Sequence, residues 1–189
     1  MVQRSAASQL PNPPDLARVL RAGVRNAASL KVTAPVREAV VDRLEGVSDG
    51  AVVPAHAGIP DKEGTQVQFL DRLDVTANRL FLTLRMNRGV VWWGIYFRGD
   101  RAEIDTVFDA VRSLGLSNAG WRLERDTGGP ELPSSVWPGG RYVRAFRGMT
   151  ADQVEELPTL EGLVSQIAAD LWWWHQRLEQ VKVLASFLE

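Results

Sequence analysis

The sequence predicts an α+β domain built on a mainly antiparallel sheet of about four to five strands, and three observations support this fold class. Residues 80–97 contain two strand-like runs on either side of a turn, which is typical of a β hairpin. Residues 100–114 carry apolar side chains at helical spacing. The last thirty residues carry an unbroken apolar seam. We therefore expect a helix after the central hairpin, a long C-terminal helix packed on the sheet, and a small helical segment at the N-terminus.

The N-terminal third is divided by prolines and glycines. A polar stretch ends in the run Pro11-Asn12-Pro13-Pro14, which opposes regular structure before it. Asp15 then lies at a plausible helix start, and Thr33 or Ala34, just before Pro35, lies near the cap of a second short helix. The predicted segments are a disordered leader over 1–14, a short helical segment over 15–45, a Gly- and Pro-rich linker over 46–64, and the α+β domain over 65–189.

The central hairpin is predicted from two patterns. Leucine or methionine occupies every second position over 80–86, and residues 90–97 are mostly β-branched and aromatic. Asn87-Arg88-Gly89 between them supplies a turn that can take positive φ. A preceding strand over about 67–73 would extend the sheet. Because successive side chains of a strand point to opposite faces of the sheet, the side chains of the second strand, 90–97, divide into two sets. Trp92 and Tyr96 share one face, and Trp93, Ile95 and Phe97 share the other.

The remaining elements follow the hairpin in order. Asp100 to Leu114 is predicted to be an amphipathic helix that ends at Gly115. Two more strands are expected near Trp121 to Arg125 and Arg141 to Arg147, separated by a Pro- and Gly-rich loop. Thr150 can cap a turn before the C-terminal helix.

The C-terminal helix has more tryptophan than one face can bury. Its apolar seam has a 4,3,4,3 spacing, which needs a surface to pack against. Trp174 lies in the seam, whereas Trp172 and Trp173 flank it, so at least one indole should meet a second surface. The predicted function is therefore a non-catalytic protein-interaction or dimerisation module. The seam comprises Leu160, Val164, Ile167, Leu171, Trp174, Leu178, Val181, Ala185 and Leu188, and the predicted partner-binding residues are Trp172, Trp173, His175 and Trp137.

A set of arginines on the last two strands offers an alternative function. Arginine with interleaved aromatic residues suits phosphate contacts and base stacking, so a nucleic-acid-binding protein is the second hypothesis. Arg141 and Arg147 should point one way and Arg144 the other, so they cannot all form one surface. Nearby carboxylates would neutralise part of the charge, and the aromatic residues also suit core packing. The predicted nucleic-acid-binding residues are Arg122, Arg125, Arg141, Tyr142, Arg144 and Arg147.

Composition and motifs exclude several classes of function. The chain has 22 basic and 23 acidic side chains, which disfavours a strongly cationic nucleic-acid binder. It has no cysteine, so disulfides, thiolate catalysis and cysteine-based metal sites are excluded. No apolar run approaches the length of a membrane span, and we expect a cytoplasmic protein without membrane contact. The abundance of alanine, valine and arginine over lysine suggests a bacterial or phage origin.

The sequence contains no recognised catalytic motif. It therefore favours a protein that is not an enzyme and has no cofactor. The two histidines, His56 and His175, lack a second ligand at metal-binding spacing, so no metal site is predicted. A third hypothesis is a divergent metal-dependent nuclease that uses Glu124 and Asp126 with Asp100 or Asp105. The stretch around Glu124 lacks the lysine that such a site would need.

From about residue 79 to 185, the order of elements resembles a small bacterial domain of unknown function that occurs alone or attached to restriction-type and other defence-associated proteins. The resemblance lies in the strands RLFLTLRM and VVWWGIYFRGD, the helix EIDTVFDAVRSL, the strands GWRLERD and RYVRAFR, and the tryptophan-containing final helix. That family has no established catalytic residues to transfer. The long proline-rich loop departs from its usually shorter connection. The resemblance implies a non-catalytic accessory or recognition role in a bacterial or phage defence system.

Overall fold

The computed structural model describes residues 9–23, 27–49, 66–69, 80–116, 120–126 and 142–178. The helices are α1 (Pro13–Ala22), α2 (Ala27–Ser48), α3 (Arg101–Ser113), α4 (Ala151–Glu155) and α5 (Glu161–Leu178). The strands are β1 (Gln66–Phe69), β2 (Leu80–Asn87), β3 (Val90–Arg98), β4 (Arg122–Asp126) and β5 (Tyr142–Thr150). The predicted α+β class, the C-terminal helix and the helical N-terminal segment are confirmed. Within the described ranges, no helix is long and apolar enough to cross a membrane.

The five strands form one antiparallel sheet in the order β1-β2-β3-β5-β4. The predicted hairpin is β2 and β3, with Arg88 at φ 48° and Gly89 at φ 80° in the turn. Two consecutive positive φ values suit the right-handed twist of the paired strands, and glycine adopts them without steric cost. The predicted strand at 67–73 corresponds to β1, and its last residues lie outside the described residues.

The described helices that contact the sheet pack on one of its faces, here called the helix face, and α2 packs on α5. On this face, Val91, Trp93, Ile95 and Phe97 of β3 are buried together with Val143 and Ala145 of β5. The Trp93 indole donates from Nε1 to Asp170 of α5 at 2.8 Å, and Arg125 of β4 donates to Asp105 of α3 at 2.7 Å. The core therefore lies between the sheet and the helices.

The N-terminal helices belong to the same core as the strands. Buried apolar side chains of α1 and α2 join the cluster that contains β3 and α5. α1 begins two residues before the predicted Asp15, because Asn12 caps it and accepts from the Asp15 amide at 2.8 Å. α2 extends to Ser48, so the first residues of the predicted linker are helical, and 50–65 lie outside the described residues. The contributing side chains are Leu16, Ala17, Leu20, Val36, Val40 and Leu44.

The prediction of a second short helix starting near Thr33 is wrong, because α2 begins at Ala27 and continues through Pro35. Proline inside a helix removes a backbone hydrogen bond and costs about 3 kcal/mol. The buried side chains that follow it, Val36, Val40 and Leu44, pack in the core and offset that cost. At this position, the free energy gained by tertiary packing thus outweighs the local cost of a proline inside the helix.

The later helices α3 and α4 begin with capping residues, of which the Thr150 cap was predicted from the sequence. Asp100 caps α3 in a reciprocal pair with Glu103, and Thr150 caps α4 in the same way with Gln153. In α5, the seam positions from Leu160 to Trp174 are buried as predicted. The side chains of the later seam positions, from Leu178 onward, lie outside the described residues.

The tip of the hairpin is held between α1 and α4. The Gly89 amide donates to the Leu20 carbonyl at 2.8 Å, and the Gly89 carbonyl accepts from the Ala151 amide at 2.7 Å. Arg21 bridges from α1 to Asp152 and Glu155 of α4. Hydrogen bonds to Glu155 and Asp152 raise the pKa of the Arg21 guanidinium above its ordinary value. These contacts fix α1 and α4 to the end of the sheet where the hairpin turns.

Candidate functional site

The face of the sheet opposite the helices carries aromatic and arginine side chains, where a solvated sheet face would normally carry small polar ones. We call this surface the aromatic face. Trp92 does not belong to the buried cluster that joins the helices to the sheet. The register places these side chains in neighbouring rows across β2, β3 and β5. The aromatic face comprises Arg85, Trp92, Tyr96, Tyr142, Arg144 and Phe146.

The rings on the aromatic face contact one another. The ring of Trp92 meets that of Phe146 edge to face, with centroids 5.8 Å apart. Tyr96 and Tyr142 are stacked, with centroids 5.4 Å apart and planes 21° from parallel. Trp92 is 6% exposed, whereas Tyr96, Tyr142 and Phe146 are half-buried. The three half-buried rings retain surface that a partner could cover.

Guanidinium groups lie over these rings. The Arg85 carbon Cζ is 5.4 Å from the Trp92 ring centroid, and the Arg144 Cζ is 5.5 Å from the same centroid. Arg144 also lies 4.7 Å from the Phe146 centroid and 5.6 Å from that of Tyr142. Such cation–π contacts orient an arginine without burying its charge fully, and each is worth about 0.5 to 1 kcal/mol at exposed sites.

The described side chains on the aromatic side of the sheet carry charges of both signs. Among the described side chains, the register places Arg85, Arg122 and Arg144 there together with Glu124 and Asp126. Arg144 donates from Nε to Glu124 Oε2 at 2.8 Å, and its side chain is 27% exposed. The central arginine is therefore already paired with a carboxylate of its own sheet.

A glycine lies at the centre of this surface. Gly94 falls between Trp92 and Tyr96 on β3, has φ 149°, and pairs with Phe146. A Cβ atom placed there would lie 2.0 Å from the Ala145 carbonyl oxygen, so the close approach of β3 and β5 requires glycine. The centre of the aromatic face is consequently backbone, and Gly94 and its neighbour Thr83 on β2 are both buried.

The tryptophans of α5 make contacts within the domain. Trp174 is fully buried and meets Trp121 edge to face at 5.2 Å. Trp173 stacks on Trp121 at 5.9 Å, and the Arg177 guanidinium covers it at 3.7 Å. Each of these indoles is therefore at least partly covered inside the domain.

The predicted partner-binding residues are placed as follows. Trp172 and Trp173 are half-buried, and both pack against the core. His175 is 3% exposed beneath Trp172, with which it stacks at 5.1 Å, so it offers almost no surface to a partner. Trp137 lies outside the described residues. The number of indoles on α5 suggested a partner for this helix. Trp121 and neighbouring side chains of α5 cover much of their surface within the domain.

The predicted basic set is divided between the two faces, as the alternation required. Arg122, Tyr142 and Arg144 lie on the aromatic side. Arg147 donates to Asp170 at 2.8 Å and lies over Trp121 on the helix face. Arg125, bound to Asp105, lies over the Phe108 ring on that same face. Arg141 lies outside the described residues.

Arg85 is a residue of this surface that the sequence patterns did not single out. The sequence did contain a signal for its position. Arg85 alternates with the leucines of β2, which places it on the face of the strand opposite the core. Its partner across the hairpin, Trp92, then follows from the two-residue turn.

The carboxylates of the nuclease hypothesis do not converge. Glu124 binds Arg144 on the aromatic side, whereas Asp105 binds Arg125 on the helix face. Asp100 accepts from the Glu103 amide as the cap of α3. In the part of the chain that the structure describes, no group of three or more histidine, aspartate or glutamate side chains could hold a metal ion.

Comparison of the chain with protein-family models, curated proteins and solved structures gives no match.

Proposed function

We propose that this protein is a non-catalytic self-association module whose contact surface is the aromatic face. The observation that carries the proposal is the group of rings and guanidinium groups on a sheet face to which no described helix is packed. Tyrosine, tryptophan and arginine are the residue types enriched in the centres of protein interfaces. Half-buried Tyr96, Tyr142 and Phe146 supply apolar area at low cost in conformational entropy.

The balance of charge supports a protein partner over a polyanion. Arg144, the central cation, already pairs with Glu124. A nucleic-acid strand would have to displace that carboxylate and would then meet Asp126 beside it. A protein surface that carries both signs can satisfy these groups without displacing them.

A second copy of the chain is the partner that the charge pattern favours. Among the described charged side chains of the aromatic side, Arg85 lies on β2, next to the edge strand β1, and Glu124 and Asp126 lie on the opposite edge strand, β4. A surface with opposite charges towards opposite edges is complementary to itself under a twofold rotation. The net charge of −1 adds little repulsion between copies.

Sedimentation equilibrium tests this proposal with a pair of variants. The wild-type chain should show a monomer–dimer equilibrium over roughly 1 to 100 µM. Phe146→Ser removes a half-buried ring from the aromatic face and should weaken the dimer at least about tenfold. Val47→Ser removes an exposed apolar side chain of α2 and should leave association unchanged.

Thermal unfolding must show that Phe146→Ser still folds cooperatively. If it does not, Tyr142→Ser replaces it, because Tyr142 also lies on the aromatic face. A wild-type chain that stays monomeric at the highest concentration would refute the proposal. So would a folded aromatic-face variant that associates as tightly as the wild type.

Binding of single-stranded nucleic acid is a second candidate function. The stacked pair Tyr96 and Tyr142 favours it, since aromatic side chains beside arginine support base stacking. Fluorescence anisotropy with a labelled single-stranded oligonucleotide at two salt concentrations distinguishes the candidates. Nucleic-acid binding predicts an affinity that falls steeply with salt and falls further in Arg122→Ala. An unchanged anisotropy at low salt eliminates this candidate.

A further inference from the structure

The strand β4 lies at an edge of the described sheet. It pairs with β5 on one side, and no described strand pairs with its other side. An edge strand presents backbone amide and carbonyl groups that can pair with a strand of another chain. This edge is separate from the rings of the aromatic face, so it can carry a contact of its own.

Two charged residues of β4 retain groups that another chain can bind. Arg122 is exposed, and among the described residues its guanidinium has no hydrogen-bond or ion-pair partner. Both hydrogen bonds from Arg144 to Glu124 go to the Oε2 atom, and no described donor reaches Oε1. The Glu124 side chain is 44% exposed. Because a carboxylate has acceptor sites on both oxygens, Glu124 can bind a second arginine while it keeps the first.

Antiparallel pairing of β4 with a second copy of itself allows few registers. Residues directly opposite each other in an antiparallel pair lie on the same side of the sheet. In a symmetric pair, the twofold axis therefore passes beside one residue, which faces its own copy. Pairing over at least three residues of β4 places this axis at Leu123, Glu124 or Arg125.

The charges distinguish these three registers. An axis at Glu124 brings two glutamates together, and an axis at Arg125 brings two arginines together. An axis at Leu123 places two half-buried leucines opposite each other and Arg122 opposite Glu124 of the other copy, on both sides of the axis. Charges at a sheet edge normally oppose pairing. Here they disfavour two registers and favour the third, since unlike charges directly opposite stabilise a strand pair.

We propose that β4 is a second self-association surface, at which two copies pair their edge strands antiparallel about a twofold axis at Leu123. Arg122 of each copy then binds Glu124 of the other. This inference goes beyond the proposed function, because it uses no ring of the aromatic face. The axis is perpendicular to the sheet, so the two copies form one continuous sheet with their aromatic faces on the same side. Each copy can therefore use both surfaces at once.

The edge contact is small, so it should form at higher concentration than the contact between aromatic faces. It joins the segment 122–124 of the two copies and buries less than the roughly 1,600 Å² of a standard interface. We expect a dissociation constant on the order of 0.1 to 1 mM. Dimers joined through their aromatic faces should therefore assemble further above about 100 µM.

Sedimentation equilibrium between about 0.1 and 1 mM tests the pairing with charge reversals in separate chains. The wild-type mass should rise beyond that of a dimer. Arg122→Glu places two carboxylates opposite each other, and Glu124→Arg places two guanidinium groups opposite each other. Each chain alone should therefore weaken the edge contact at least about tenfold. In an equimolar mixture every glutamate again faces an arginine, so mixing should restore the larger assembly.

A control variant and a second measurement complete the test. Lys31→Glu changes the net charge by as much as Arg122→Glu does, at an exposed position of α2, and should leave the edge contact unchanged. Glu124→Arg also removes the pair with Arg144. If thermal unfolding shows that this chain does not fold, hydrogen exchange replaces the mixture. Exchange over 122–126 should slow between about 0.1 and 1 mM in the wild type but not in Arg122→Glu.

The edge pairing and the proposed function fail in different ways. A wild-type mass that does not rise above about 100 µM would overturn the edge pairing. Equal effects of Arg122→Glu and Lys31→Glu would also overturn it, and so would a mixture of folded chains that gains no mass, or exchange that Arg122→Glu leaves unaltered. A chain that is monomeric up to about 100 µM and dimerises above it, with sensitivity to Arg122→Glu alone, would refute the aromatic-face contact and support the edge pairing.

Discussion

At the scale of single residues, the two neighbouring indoles Trp173 and Trp174 should differ in their contribution to stability. Trp174 is fully buried against Trp121, so Trp174→Ala leaves a cavity and should cost about 3 to 5 kcal/mol. Trp173 is half-buried, and Arg177 can cover part of the space that its loss leaves, so Trp173→Ala should cost less. Urea denaturation of both variants measures the order. A larger loss in Trp173→Ala would mean that α5 presents a different face to the sheet.

Among the glycines that the structure describes, Gly94 is the one whose replacement should be least tolerated. In Gly94→Ala, the new Cβ would meet the Ala145 carbonyl oxygen and the Phe146 Cα, which are backbone atoms of β5. Relief of that clash requires β3 and β5 to separate, so we expect a loss of about 3 kcal/mol or more. At Gly120, which has φ 74°, a Cβ atom would meet nothing within 4 Å, so Gly120→Ala isolates the backbone contribution, about 1 to 2 kcal/mol. Equal thermal shifts in the two variants would contradict this explanation.

At the scale of elements, Asp170 is the polar link between α5 and the sheet. It accepts from the Trp93 indole at 2.8 Å and from Arg147 at 2.8 and 3.0 Å. Asp170→Ala would leave the Trp93 indole without this acceptor and would remove the carboxylate that pairs with the Arg147 guanidinium, which should cost about 2 to 3 kcal/mol. Asp109→Ala removes an exposed pair with Arg112 on α3 and should cost less than about 0.5 kcal/mol. Denaturant midpoints that do not separate the two variants would refute this role of Asp170.

The elements differ in how far local sequence determined them. The β2–β3 hairpin and the start of α3 are encoded within a few residues, at Arg88-Gly89 and at Asp100 with Glu103, and the hairpin and a helix starting near Asp100 were predicted. α2 was not, since its passage through Pro35 depends on burial against elements far away in the chain. Propensity therefore failed where packing at long sequence separation decides the structure.

At the scale of the whole molecule, the order of the strands assembles the aromatic face. Alternation within β3 predicted which side Trp92 and Tyr96 share, but no local signal shows that β5 pairs with β3 and places β4 at the edge. That order brings Arg144 beside Tyr96 and places Glu124 on an edge strand, three strands from Arg85. The site residues could thus be named from sequence in part, whereas their arrangement could not.

The two surfaces that could associate differ in which aromatic residues they would cover. Association through the aromatic face would cover Tyr96, Tyr142 and Phe146. Association through α5 would instead cover Trp172 and Trp173. The half-buried rings of both sets react with hydroxyl radicals in proportion to their exposure, so one footprinting experiment compares them within the same chain.

Hydroxyl-radical footprinting with mass spectrometry, at concentrations below and above the dimer transition, shows which of these surfaces the dimer buries. We predict that oxidation of Tyr96, Tyr142 and Phe146 falls as the dimer forms, while that of Trp172 and Trp173 stays constant. Loss of oxidation at Trp172 and Trp173 with unchanged reactivity of the aromatic face would contradict self-association through that face, and so would reactivity that does not depend on concentration.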